Sequence, residues 1–172
     1  MGCDIHAYVE ERRINHPNQY WRRYGEADIM RDYRLFSLMA GVRSKEGRPG
    51  AIVEPRGLPD NIATMTEYEA YMFIVDEVKM DGDSSRYVLR SDAKRWVREG
   101  HSVQVDEFCV TDPDWHTHSW LSIPELREVI RQYEGDEREH DAPNDIRAAL
   151  ASMLMLCDGD EDNARIVFWF DN

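Results

Sequence analysis

Two short segments of this chain repeat one arrangement, Cys3-Asp4-Ile5-His6 near the start and Asp114-Trp115-His116-Thr117-His118 further along. Each sets an acid two residues before a histidine. On an extended strand alternate side chains share a face, so Asp4 and His6 project together. In the later segment Asp112, Asp114, His116 and His118 alternate with Pro113, Trp115 and Thr117, and an extended backbone would line four polar groups along one side. Two imidazoles and up to three carboxylates make a donor set for Zn²⁺, Mn²⁺ or Fe²⁺, and such an ion activates water for hydrolysis. In that reading His6, His116 and Asp114 hold the metal, while Asp4 or Asp114 acts as ligand or general base. Two alternatives stand beside it: a metal-free hydrogen-bonded pocket, and a wet sheet face on which Asp114 caps a turn.

A second set of residues suits an anion. Gly41-Val42-Arg43 and Pro55-Arg56-Gly57-Leu58-Pro59-Asp60 place arginines among glycines. A guanidinium fork matches phosphate or carboxylate oxygens, and a neighbouring glycine lets backbone approach a ligand closely. Trp115 and Trp120, flanking the histidines, could stack on a base or ring, although such residues also build cores. Asp158-Gly159-Asp160-Glu161-Asp162-Asn163 has the opening spacing of a calcium loop, but its sixth position is Asn163 and its twelfth Trp169, which reads as an acidic turn. Alternation puts Cys3 on the apolar side of its strand, away from His6, where a thiol behaves as a small hydrophobe. No phosphate-binding Walker loop, dinucleotide fingerprint or Gly-x-Ser-x-Gly elbow is present.

Bulk properties narrow the partners. The chain has 172 residues and 42% hydrophobic content, enough for one domain, 1–172, with its own core. Its net charge of -13 argues against direct binding to nucleic acid, whose phosphates need Lys and Arg. The charge is uneven: residues 1–60 hold ten Lys/Arg and nine Asp/Glu, whereas 101–172 hold five and seventeen. The acidic part keeps a protein soluble, or alternatively mimics nucleic acid against a basic partner. Three cysteines without a Cys-x-x-Cys pair point to free thiols in a reducing compartment. There is no signal-peptide pattern and no apolar run long enough for a membrane span, so a cytoplasmic location is expected. Nothing in the sequence excludes a homo-oligomer.

The elements that must position these residues follow from periodicity. Residues 3–13 alternate as a strand, 15–18 form a turn, and 19–24 return as its hairpin partner. From Asp28 the spacing Ile29, Tyr33, Phe36, Met39 predicts a helix stopped by Gly41. Residues 44–61, rich in Gly and Pro, form a loop or lid. Thr66-x-x-Glu69 reads as a capping box for a helix through Tyr68, Met72, Val75 and Val78, although Phe73-Ile74-Val75 also suits a strand. A short strand at 86–89, a helix at 92–98 stopped by Gly100 and a strand at 101–110 follow. Ser122-x-x-Glu125 is a second capping box, opening a helix to Tyr133. After an acidic loop at 134–141, Asn144 caps a helix to about Cys157, and Ile166–Phe170 is the closing strand. The pattern predicts an α+β fold, a mixed or antiparallel sheet containing both terminal strands with helices packed on it.

The opening Met1-Gly2-Cys3-Asp4-Ile5-His6, with Tyr8-Val9-Glu10, resembles a family of small bacteriophage and prophage proteins. The likeness continues in order through Tyr33-x-Leu35-Phe36, Ala40-Gly41-Val42-Arg43, Arg56-Gly57-Leu58-Pro59, Asp114-x-His116 and Ser119-Trp120-Leu121, across most of the first 126 residues. His118 departs from the pattern, which favours Asp114 and His116. The resemblance implies a phage context in the host cytosol. By analogy it implies an accessory, anti-defence role, either capturing or cleaving a nucleotide signal or blocking a host defence protein. Together these readings predict a small phosphorylated or nucleotide-like ligand held by Arg43 and Arg56 and oriented or hydrolysed by the Asp/His set. The rival is an acidic, non-enzymatic inhibitor.

Overall fold

The computed structural model describes residues 2–45, 49–77, 86–135 and 142–172. β1 (Ile5–Arg13) and β2 (Tyr20–Glu26) form the N-terminal hairpin. β7 (Ala164–Asp171) runs antiparallel along the other side of β1, so the two terminal strands pair as the alternation at each end predicts. β6 (Trp115–Ser122) adds to β7 and completes an antiparallel sheet of order β2-β1-β7-β6. A second sheet was not foreseen in the sequence. β3 (Tyr71–Val75) lies at its centre, with β4 (Tyr87–Leu89) parallel to it and β5 (Cys109–Thr111) antiparallel. With five helices among the described residues, the fold is α+β.

One face of the large sheet is apolar. Ala7, Val9, Ile166, Phe168 and Phe170 pack against α1 (Tyr33–Ala40), α4 (Ile123–Glu134) and α5 (Asn144–Leu156), which bury Leu35, Leu126 and Ile146. Each such side chain contributes about 1.5–3 kcal/mol when removed from water. The helix α1 ends at Gly41, whose φ of 70° is the left-handed conformation that glycine adopts without strain. Its start is later than the spacing predicts, because the Asp32 carboxylate accepts the Arg34 and Leu35 N–H groups and so fixes the first turn. The Ser122–Glu125 capping box is present as expected.

Other boundaries differ for physical reasons. The Thr66–Glu69 box does not form: α2 (Thr64–Ala70) is capped three residues earlier, at Ala63, and Glu69 instead pairs with Arg23 and Arg86. The helical spacing through Met72 and Val75 gives way to the strand alternative, since these residues pair with β4 and β5; Val78 lies outside the described residues. The expected strand 101–110 shrinks to β5 with a lone bridge at Gln104. α3 (Arg90–Glu99) stops at Gly100 as predicted. Asn144 sits inside α5, not at its cap, which is Pro143. Most of the acidic stretch 134–141 falls outside the described residues. No described helix is long and apolar enough to cross a membrane.

Candidate functional site

The second face of the large sheet carries the polar and aromatic half of each strand. His6, Tyr8 and Glu10 of β1 stand opposite Trp169, Val167 and Arg165 of β7. Alternation predicts this side of β1 but makes it wet. In fact it is covered: Tyr8 and Trp169 pack with Ala70, and Tyr8, Glu10, Arg165 and Trp169 are all buried. Buried charge requires partners, and Glu10 and Arg165 supply them. One Glu10 oxygen takes Arg165 Nε at 2.8 Å and Nη2 at 2.7 Å, and the other accepts the Ala63 N–H at 3.0 Å. Arg165 Nη1 donates to Asn61 Oδ1 at 2.8 Å and Nη2 to the Asn61 carbonyl at 3.0 Å. The network thus fastens the 61–63 loop and the start of α2 onto the sheet.

The two Asp-x-His segments meet at one end of this sheet but do not form one cluster. His6 lies opposite Trp169, whereas His116 lies opposite Phe170, the next residue along β7 and therefore on the other face. The reason is a bulge. Between His116 and Ser119, β6 carries one more residue than β7, and Thr117 takes a φ of 54°. His116 therefore stacks on Phe170 on the helical side, its Nδ1 sharing a 2.7 Å hydrogen bond with Thr117 Oγ1. His118 turns back to stack on Trp169, on the same face as His6. The segment before β6 is not extended either, because Asp114 N–H donates to Asp112 Oδ1 in a tight turn. The expected alignment of Asp112, Asp114, His116 and His118 along one side is thus replaced by a turn and a bulge. Among the described residues, no three His, Cys, Asp or Glu side chains are placed to share an ion.

The individual residues have these places. Asp4 is exposed and forms a bidentate pair with Arg31 at 2.6 and 2.8 Å, which lowers its carboxyl pKa. His6 Nε2 lies 3.0 Å from Asp171 Oδ2, with its ring 5.4 Å from Trp115 and 5.8 Å from Trp169. Asp114 is exposed, and burial raises the pKa of its neighbour Asp112. Burial, followed by the charge of Arg43, lowers His116; burial, followed by His116, pushes His118 down to about 4. Cys3 is fully buried and its thiol is pushed up by burial despite Arg43 nearby, as its apolar side of the strand requires. Arg43 lies over Tyr33 beside Cys3 and His116, on the helical side.

Arg56 and Trp120 do come together. The Arg56 guanidinium lies 3.5 Å above the Trp120 ring, and its Nη2 donates to the Trp120 carbonyl at 2.9 Å and to Glu125 at 2.6 Å. The Gly57 N–H bonds the His118 carbonyl at 3.0 Å, so the 55–59 loop runs along the open edge of β6. Both residues line a cleft of about 630 Å³ with Trp21, Asp60, Asn61 and Arg165. Trp21 covers the Arg165 guanidinium at 3.8 Å. Along β6, Trp120 lies five residues from Trp115, roughly 16 Å at about 3.3 Å per residue, so the cleft is separate from the Asp/His end. Arg43, near Tyr33 and His116, is not among the residues that line the Arg56–Trp120 cleft.

Sequence reasoning did not select Asp171, Arg31, Asn61, Trp21 or the Glu10–Arg165 pair. Only the alternation of β7, extended by one residue, would have placed Asp171 beside His6. The others reach the site from loops and strands whose pairing has no local signature. No family model, curated protein or solved structure matches the chain.

Proposed function

We propose that the protein binds a small, planar, singly phosphorylated ligand, of the nucleoside monophosphate class, in the cleft between Arg56, Trp120 and Trp21. A phage accessory role as the sink for such a molecule is part of the proposal and is supported by the resemblance carried by motifs across most of the first 126 residues. The observation that carries the reading is the state of Arg56. Its guanidinium is fixed in place by the Trp120 face and by two hydrogen bonds, both from Nη2. A guanidinium has five N–H donors, so three on Nε and Nη1 make no hydrogen bond to the described residues. An arginine ordered before the ligand arrives loses little side-chain freedom on binding.

The surrounding charge selects among anions. Glu125 already faces Arg56, but its carboxylate is also held by the Ser122 N–H at 2.7 Å and Oγ at 2.9 Å. An incoming phosphate can therefore compete for Arg56 without stranding Glu125. Asp60 and Asp162 also line the cleft and oppose a polyphosphate. A single phosphate on Arg56, with the ring against the indoles and its edge near Asn61, fits this balance. The cleft lies within the few hundred to a thousand Å³ usual for small-molecule sites.

Titration with AMP, followed by tryptophan fluorescence and calorimetry, tests the reading, with ATP and adenosine as comparisons. AMP should bind most tightly. Arg56→Ala should weaken AMP about 10- to 150-fold, the equivalent of one charge-assisted hydrogen bond of 1.5–3 kcal/mol. Failure of AMP to saturate, or binding that Arg56→Ala and Trp120→Ala leave unchanged, refutes it.

A further inference from the structure

The Arg56 cleft contains a second guanidinium, and its donors can be counted. Arg165 is 4% exposed, with Trp21 over its face at 3.8 Å. A guanidinium has five N–H groups. The Nε group and one on Nη2 go to Glu10, the other Nη2 group goes to the Asn61 carbonyl, and one Nη1 group goes to Asn61 Oδ1. One Nη1 N–H therefore makes no hydrogen bond to the described residues. A buried N–H without an acceptor is costly. Arg165 borders the cleft, so a molecule bound there can supply one.

Asn61 lines the same cleft, and Arg165 fixes which way its amide points. A guanidinium only donates, so Oδ1 must face it and the Nδ2 N–H groups must turn away; a flipped amide would set N–H against N–H. Asn61 is exposed, and its Nδ2 makes no hydrogen bond to the described residues. Beside Arg56 the wall thus offers free donors from both Asn61 and Arg165. Both guanidiniums lie against the Trp120 ring, Arg56 at 3.5 Å and Arg165 at 5.8 Å from its centre. A monophosphate held on Arg56 therefore leaves its base within reach of the Asn61–Arg165 pair.

Two neighbouring donors call for two neighbouring acceptors. A 6-oxopurine has them, O6 beside N7, whereas a 6-aminopurine sets an N–H donor beside N7. Uracil separates its two oxygens by the N3 donor. We propose that the cleft selects 6-oxopurine over 6-aminopurine monophosphates, with Asn61 as the specificity-determining residue. The inference rests on the phosphate reading of Arg56. The Asp60 and Asp162 carboxylates also border the cleft, but both residues are exposed, and an amino group reaching them exchanges one water for another partner.

Calorimetric titration of the purified chain with IMP and AMP, which differ only at this edge, tests the proposal. IMP should bind about 10-fold more tightly, the consequence of replacing a facing pair of donors by a hydrogen bond. Asn61→Asp keeps an acceptor for Arg165 but turns a carboxylate to the base, so AMP should then bind at least as tightly as IMP. A ligand-side comparison on the native chain covers a variant that fails to fold. Purine riboside 5′-monophosphate, with hydrogen in place of the 6-oxygen, should bind about 10-fold more weakly than IMP. IMP no tighter than AMP, purine riboside monophosphate equal to IMP, or an Asn61→Asp protein that still prefers IMP overturns the proposal. Any of these, with AMP binding still weakened by Arg56→Ala, leaves the phosphate site standing. Binding of neither nucleotide overturns both.

Discussion

Replacing Glu10 by Gln takes one charge from a pair whose other member, Arg165, has no water to turn to. Both side chains are almost wholly buried, and Arg165 is further covered by Trp21 at 3.8 Å. At 2.7 Å and an effective dielectric constant near 20, the pair attracts by about 6 kcal/mol, most of it offset by the cost of desolvating both ions. The substitution removes the attraction and keeps the desolvation cost of Arg165. The Gln carbonyl can still accept the Ala63 N–H, but its amide then points donors at a guanidinium that is itself all donor. Breaking a buried pair from one side in this way costs about 3–5 kcal/mol. For a chain of this length each kcal/mol lowers Tm by about 2–4 °C, so a fall of roughly 6–20 °C is expected.

Urea unfolding followed by both tryptophan fluorescence and far-UV circular dichroism measures this, coincident curves showing that two-state treatment holds. The double substitution Glu10→Met with Arg165→Met is the control. If the single change is costly because it strands a charge, the double change should recover the part due to charge, since apolar residues of similar volume replace buried pairs at little cost, while the Ala63 N–H, left without its acceptor, keeps about 1–3 kcal/mol of the loss. A Glu10→Gln protein within about 1 kcal/mol of the parent would show that Arg165 is solvated or re-paired and that the charge pair does not fasten the 61–63 loop.

Acid should destabilise the fold through His118. Its pKa is about 4 when folded and 6.5 when unfolded, so the unfolded chain binds the extra proton. The stabilisation is complete above pH 6.5, falls as pH drops below that value and is exhausted near pH 4, a change on the order of 3 kcal/mol. His118→Phe should flatten the slope between pH 7 and 4.5 in urea titrations, and an equally steep slope in that variant would locate the effect elsewhere. Ser122→Ala should cost about 1 kcal/mol by removing the cap of α4, read from the same unfolding curves. Glu125→Gln keeps an acceptor for Arg56 Nη2 but removes the negative charge beside it, so AMP should bind several-fold more tightly; unchanged or weaker binding would count against a phosphate at Arg56.

The contrast between β1 and β6 explains which parts of the site were legible in the sequence. In β1 each side chain reports its face through simple alternation, and Ala7 and Val9 fall on the helical side, opposite His6 and Tyr8. What alternation cannot report is coverage. A face of His6, Tyr8 and Glu10 reads as solvated because burial there depends on Arg165, Ala63 and Ala70, which arrive from 53 or more residues away. In β6 alternation itself fails. A single residue in the left-handed region, Thr117, reverses the phase, so His116 and His118 project from opposite faces despite being two apart. Nothing marks Thr117 as that residue, since a β-branched side chain is a poor occupant of positive φ. The Asp/His expectation rested on phase being kept through this segment. Arg56 and Trp120 needed no such continuity. They are joined by a loop lying along a strand edge, and their contact depends on a flat guanidinium meeting a flat ring. Residue type was therefore a better guide than spacing at this site, and the bulge that separates His6 from His116 also leaves Asp171 as the partner of His6.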